Sequence, residues 1–280
     1  MGIRIDGKLL AESLLTDLEA RVTELKEWGT TPALAVVLVG FNPSSVTYVR
    51  QKQKAAERLG AKFLLIEYPD TVTQEQLLAR IDKLNNDPMV HGLIVQLPLP
   101  PSIDEETVTS SINPQKDVDG FLNDSPFTPP IANAALKVLE HVYQEQPSYG
   151  FTFAQWMTSR KNVVMGRGKT AGLPIAKKIK DLKIPFTLIH SETDRKEVII
   201  NQADTIVSCV GKGRVLTKEM LKDNVVLVGV GLHMEDGKLK GDYEEEEVKE
   251  KASYYTPTPG GMGPLNVAHL WKNVLTAAER

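Results

Sequence analysis

The chain has 280 residues, 41% of them hydrophobic and 25% charged, with a net charge of −3. That length suits one large or two moderate cores, and the slight acidity gives no basic field for nucleic acid or an anionic membrane. The single cysteine, Cys209, rules out an internal disulfide and fits a reducing compartment. The opening residues lack a signal peptide's apolar run, Asp6 breaks a myristoylation pattern, and no run of about eighteen apolar residues could span a bilayer. The expectation is a soluble, cytoplasmic protein.

In chain order, residues 7–29 have helical spacing, with Leu9, Leu10, Leu14, Leu18, Val22 and Leu25 on one side. ALAVVLVG (33–40) reads as a buried parallel strand. Asn42 and Pro43 open a helix that Gly60 closes. KFLLIEYP (62–69) predicts a strand, residues 73–87 a helix, and HGLIVQLPLP (91–100) a strand ending in a stiff turn. This alternation implies a parallel, helix-covered sheet. A second series begins near residue 162, with strands at NVVMG, FTLIH, TIVSCV and NVVLVGVG and helices at 170–182, 194–202 and 244–252. Two apolar helices, 129–145 and 264–280, stand outside both series and are expected to bridge two α/β domains, the last returning to the first domain. Residues 146–161 carry no clear pattern. The expected domains are 1–128 with 264–280, and 129–263.

Within the first helix of the first series lies YVRQKQK. Residues four apart on a helix are neighbours, so Tyr48 and Lys52 share a stripe about 40° wide, while Lys54 lies about 160° away and faces water. Val46, Val49 and Ala56 mark the buried face beside that stripe. A lysine at a core edge can lose hydration and, with it, basicity, which suits proton transfer near neutral pH. The alternative is a snorkelling lysine. Gln96 stands at a parallel strand's C-terminal end, where open α/β sheets place ligands, and its amide could accept a hydrogen bond from Lys52. KDVDGF sets Asp117 and Asp119 two apart, as a site pair or an Asx turn. TPTPGGMGP fixes an unusual backbone, with room for a cis proline. VVMGRGKTAGLP runs from strand to helix, the setting of a dinucleotide loop, with glycines at Gly166, Gly168 and Gly172. Val163 occupies the position where an ATP-type phosphate loop needs its first glycine, which excludes that reading. The five histidines are scattered without metal-ligand spacing.

Taken in order, VGFNPSSVTYVRQKQKA, VQLPLP, KDVDGF, GRGKTAGLP, HSET and TPTPGGMGP resemble the bifunctional methylenetetrahydrofolate dehydrogenase/methenyltetrahydrofolate cyclohydrolase family, from about residue 3 to the C-terminus. The resemblance implies an N-terminal three-layer folate domain and a Rossmann-like NADP-binding domain. It implies NADP-dependent oxidation of 5,10-methylenetetrahydrofolate, then hydrolysis to 10-formyltetrahydrofolate, within one-carbon and purine metabolism. By the same resemblance Tyr48 stacks on the folate, Lys52 is the general acid/base, Gln96 supports it and Asp119 binds the pterin. Ser45, Leu97, Pro259, Gly260 and Gly261 would contact substrate. Gly166, Arg167, Gly168, Thr170, Gly172, His190, Ser191, Val210, Gly211, Gly231 and Thr256 would contact cofactor, with Arg167 and Ser191 at the 2′-phosphate. No metal is implied, and a homodimer is. The chain departs from the family's usual residues at Gly168 (serine), Gly229 (aspartate) and Asn266 (threonine).

Three other readings stand beside this one. A dehydrogenase without hydrolase activity is disfavoured by Lys52 and Gln96 together. An amino- or hydroxy-acid dehydrogenase leaves VQLPLP and KDVDGF unexplained. A nucleotide-sensing module would bind NADP without turning over a folate.

Overall fold

A computed structural model describes residues 1–146 and 150–280. In chain order the strands are β1 (Ile3–Arg4), β2 (Ala33–Val39), β3 (Lys62–Tyr68), β4 (Gly92–Val95), β5 (Asn162–Met165), β6 (Thr187–Ile189), β7 (Thr205–Ser208), β8 (Val225–Gly229), β9 (Leu232–Glu235), β10 (Lys238–Gly241) and β11 (Ala252–Tyr255). The α-helices are α1 (Gly7–Glu27), α2 (Pro43–Leu59), α3 (Gln74–Asn85), α4 (Glu105–Ser110), α5 (Pro130–Glu145), α6 (Phe153–Thr158), α7 (Gly172–Asp181), α8 (Lys196–Gln202), α9 (Glu245–Val248) and α10 (Met262–Ala278). They form two compact units, residues 12–130 with 267–280, and residues 1–11 with 131–266.

The first unit holds a parallel three-stranded sheet in the order β3-β2-β4. β2 is central and buried at every residue, because both its faces are covered. One face packs Leu34, Val36 and Leu38 against Leu18, Val22 and Leu25 of α1, Val49 and Ala56 of α2, and Leu270, Trp271 and Val274 of α10. The other packs Ala35, Val37 and Val39 against Leu77, Ile81 and Leu84 of α3. The last helix therefore packs within this unit. Leu9, expected on the apolar side of α1, is 69% exposed; it lies half a turn round the helix from Leu18 at 3.6 residues per turn.

The second unit carries a six-stranded sheet in the order β1-β11-β8-β7-β5-β6, parallel throughout. Its core sets Val163, Ile206 and Leu227 against Ile189, Ile200, Leu216 and Val248. Four of these strands were expected and two were not. The expected helix at 244–252 stops at Val248, and Ala252–Tyr255 pairs instead with β8. Ile3 and Arg4 pair with Tyr254 and Tyr255. That pairing draws the first eleven residues into this unit rather than the folate-side domain to which residues 1–128 were assigned. The chain consequently passes between units within three helices, α1, α5 and α10, rather than the two expected. In the segment read least well, 146–161, residues 147–149 lie outside the described structure. Thr152 and Gln155 form a capping box that starts α6.

Candidate active site

The first unit supplies a buried hydrogen-bonded cluster around Lys52. Asn42 caps α2 by accepting from the N–H groups of Ser44 and Ser45, and Gly60 ends it with φ 65°. This fixes the helix phase, and the phase separates the two lysines: Lys52 is 6% exposed, whereas Lys54 faces solvent. Lys52 Nζ donates to Gln96 Oε1 at 2.9 Å. Gln96 follows the last residue of β4, and its N–H donates to Val37 O of the neighbouring strand at 2.9 Å. Its side-chain Nε2 donates to Leu97 O at 3.0 Å, and Ser45 Oγ donates to the same oxygen at 3.2 Å. A carbonyl oxygen can only accept, so Leu97 O holds the amide nitrogen and leaves Oε1 facing Lys52. Ser45, Lys52, Gln96 and Leu97, all singled out from the sequence, thus share one hydrogen-bond chain.

Burial pushes the Lys52 ammonium below the usual lysine range, and the negative charge of Asp119 partly opposes this. Burial likewise raises the Asp119 carboxyl above the usual carboxylate range; the positive Lys52 opposes the rise and Asp117 adds to it. Each partner is therefore moved toward its neutral form, the direction that suits a group taking up and returning a proton. Tyr48, half-buried one turn before Lys52, has its phenol raised by burial and so stays uncharged. Asp117 takes the turn role that the sequence left open: its carboxylate accepts from Leu122 N–H at 2.9 Å and its carbonyl from Gly120 N–H at 2.9 Å.

Two anchors of this cluster carried no sequence signal. Trp271 Nε1 on α10 donates to the Lys52 carbonyl at 3.0 Å. Asn273, two residues on, donates to Val118 O at 2.8 Å and Thr128 O at 2.9 Å. One helix thereby holds both the lysine helix and the aspartate loop, through partners more than a hundred residues away in sequence.

The second unit supplies a dinucleotide crevice. β5 has β6 on one side and β7 on the other, so the strand order reverses there and a crevice opens at the strands' C-terminal ends. The loops after β5 and β7 meet at this point: a Cβ on Gly166, at φ 104°, would lie 2.6 Å from Cys209 O. A Cβ on Gly172 would lie 2.0 Å from Gly166 O, so the start of α7 lies against that loop only because neither residue has a side chain. Gly168 has open space around it, so the missing hydroxyl alters the loop's chemistry and not its shape. Arg167 and Thr170 are exposed on the same turn. Arg167 Nη2 pairs with Glu192 Oε2 at 2.9 Å, and Glu192 lies in the turn after β6 with His190 and Ser191.

The loop after β7 is held by a residue that sequence reasoning did not find. Asp242, fully buried, accepts from Ser208 Oγ (2.5 Å) and from the N–H groups of Val210 (2.9 Å), Gly211 (2.7 Å) and Lys212 (3.2 Å). A Cβ on Gly231 would come within 2.3 Å of its carboxylate. The Gly229 departure has a local cause as well. Tyr243 lies so close that a Cβ on Gly229 would be 2.9 Å from its hydroxyl, and that hydroxyl donates to Thr256 O at 2.7 Å. Thr256 Oγ1 in turn accepts from Gly229 N–H at 2.7 Å. Nearby, Thr258–Pro259 is cis, the isomer for which the sequence left room, and Gly260 has φ 107°. Pro259, Gly260 and Gly261 belong to this unit, and the Tyr48–Lys52 cluster to the other. Among the described residues no group of three His, Cys, Asp or Glu side chains could hold a metal, and no helix is long and apolar enough to cross a membrane.

Comparison with known proteins joins the two units in one family. Residues 5–119 match the model of the tetrahydrofolate dehydrogenase/cyclohydrolase catalytic domain, and residues 153–280 that of its NAD(P)-binding domain. The bifunctional protein FolD of Acidovorax sp. (strain JS42) is 42% identical over 286 aligned positions, covering 99% of this chain and 98% of the relative. The crystal structure of the bifunctional FolD enzyme of Campylobacter jejuni superposes with a TM-score of 0.89 at 35% identity, covering 98% of this chain and 97% of that one. The Trypanosoma brucei enzyme, complexed with NADP cofactor and inhibitor, gives 0.89 at 32% identity, covering 100% of this chain and 98% of that one. The chain belongs to the tetrahydrofolate dehydrogenase/cyclohydrolase family.

Proposed function

We propose that this chain oxidises 5,10-methylenetetrahydrofolate with NADP and then hydrolyses the methenyl product to 10-formyltetrahydrofolate, with Lys52 moving the protons of the second step. The observation that carries the reading is the buried Lys52 amine held on Gln96 Oε1 at 2.9 Å, with its basicity lowered by burial and partly restored by Asp119. The glycine-lined crevice and the exposed Arg167 fit a dinucleotide with a 2′-phosphate. Bound there, NADP supplies the hydride acceptor for the one-carbon bridge. The two folate nitrogens stabilise the resulting cation, so that step requires no metal. In hydrolysis, neutral Lys52 takes a proton from the attacking water and returns it to the nitrogen whose bond to the one-carbon unit breaks. Gln96 aims the amine, Asp119 and Tyr48 hold the pterin, and Ser45 and Leu97 fix Gln96. Pro259, Gly260 and Gly261 are assigned to the folate side, and His190, Ser191, Val210, Gly211, Gly231 and Thr256 to the cofactor side. We extend the reading to a cytoplasmic homodimer serving one-carbon and purine metabolism; a monomeric mass by light scattering would remove the dimer.

Two absorbance assays test the activity. One supplies 5,10-methylenetetrahydrofolate with NADP or NAD and follows reduced cofactor. The other supplies methenyltetrahydrofolate and follows its loss above the spontaneous rate. Activity in both is expected; silence in both would leave only a nucleotide-binding relative.

The charge balance at Lys52 gives a pH prediction. Asp119 raises the lysine's pKa against the effect of burial. Asp119→Asn removes that charge, so Lys52 should lose its proton at lower pH. The rising limb of kcat for methenyl hydrolysis should therefore shift to lower pH, even as weaker pterin contact raises KM. A limb that stays in place or moves upward would separate Asp119 from the proton-transfer step.

A further inference from the structure

We infer that Glu192 is a specificity residue that lowers this enzyme's preference for NADP over NAD. The inference rests on the reading of the β5–β7 crevice as the dinucleotide site. Its basis is the pairing of Glu192 Oε2 with Arg167 Nη2 at 2.9 Å. Arg167 is the group in the glycine turn suited to a 2′-phosphate, and in the free protein its guanidinium is already engaged by a carboxylate. The turn that carries Glu192 is held by its own hydrogen bonds. His190 N–H donates to Thr193 Oγ1 at 2.9 Å, and Glu192 N–H donates to His190 Nδ1 at 3.3 Å, which ties the turn after β6 together. That turn follows the second strand of the nucleotide-binding series.

Glu192 also stands about twenty residues beyond the glycine loop, where an acidic side chain in this fold reaches the ribose 2′-hydroxyl of NAD, while an arginine accommodates the 2′-phosphate of NADP. This chain carries both groups and joins them to each other. A 2′-phosphate arriving at Arg167 must displace Glu192 and then remain close to its negative charge. A 2′-hydroxyl meets neither cost and gains an acceptor. Both side chains are exposed, at 55% and 71%, so water and salt moderate the penalty. The expected effect is modest and selective, not an exclusion of NADP.

The test is equilibrium titration of the full chain and its Glu192→Gln variant with NADP and with NAD at low ionic strength, by calorimetry and without folate. Glu192→Gln should bind NADP roughly three- to tenfold more tightly and bind NAD equally or less tightly. The NADP gain should shrink as salt is raised. Unchanged affinities, or equal changes for both nucleotides, would overturn the role of Glu192 while leaving the nucleotide site intact. Failure of the unmodified chain to bind either nucleotide would overturn the site reading, and the inference with it.

Discussion

Lys52→Met should lower the rate of methenyltetrahydrofolate hydrolysis by about 10²- to 10⁴-fold, the usual contribution of a positioned acid/base group. Lys54→Met should leave it within about twofold, because Lys54 faces solvent on the opposite side of α2. The pair is informative because both changes replace a lysine by methionine on the same helix, and only one of them removes the partner of Gln96. Hydride transfer moves no proton, so oxidation of the methylene compound should survive Lys52→Met far better than hydrolysis does. Folding should survive too, since methionine has similar length and needs no hydration, whereas a buried ammonium is costly. The sign of the pH effect on stability follows from the lowered lysine pKa. Between its folded value and the ordinary 10.5, the unfolded chain binds more protons than the folded one, so rising pH stabilises the wild type. Lys52→Met lacks that gain, so its stability advantage should be largest below the folded pKa of Lys52 and shrink as pH rises from there toward 10.5. Chemical denaturation across that range checks the slope, and stopped-time absorbance of the methenyl compound checks the rate. Equal loss of hydrolysis in the two variants would sink the assignment of Lys52.

What could be read from residues alone was local. The limits of α2 were legible because Asn42, Pro43 and Gly60 act within one turn of the helix ends. The inward side of Lys52 was legible because helical phase follows from spacing. β2 was legible as an unbroken apolar run. What escaped depended on distant pairing. β1 exists only because Ile3 and Arg4 find Tyr254 and Tyr255, and two residues carry no strand pattern of their own. The acidic run at 244–247 favours a helix start, which made the expected helix too long; pairing with β8 decided the fate of Ala252–Tyr255. Trp271 and Asn273 read as ordinary members of an amphipathic helix, although they anchor the Lys52 helix and the loop that carries Asp119. One overlooked signal was available. Asp236 and Gly237, with φ 50° and 72°, form the tight turn between β9 and β10, and Asp-Gly between alternating residues is a hairpin signature. That hairpin leads the chain back to Asp242.

Asp242→Ala should be among the most destabilising single changes in the nucleotide-binding unit. Its carboxylate accepts from four donors, one hydroxyl and three consecutive backbone N–H groups, in a fully buried position. Truncation leaves those donors without an acceptor. An unsatisfied donor costs about 1–3 kcal/mol, but only Ser208 is buried while Val210, Gly211 and Lys212 are half-buried or exposed and open to water, so a net loss of about 2–4 kcal/mol is expected. Asp242→Asn retains one acceptor oxygen but turns an amide N–H₂ toward other donors, and a loss of about 2–3 kcal/mol follows. Neither variant touches the Lys52 cluster. The change should therefore appear as an earlier transition in the emission of Trp156, which lies in the same unit as Asp242, while the unit containing Lys52 unfolds at its usual denaturant concentration. Val210 and Gly211 are assigned to the cofactor side, so NADP binding should weaken with the Asp242→Asn variant even where the protein remains folded. A denaturation profile matching the wild type, with unchanged NADP affinity, would show that the four donors find other acceptors and that the loop after β7 holds its shape without this carboxylate.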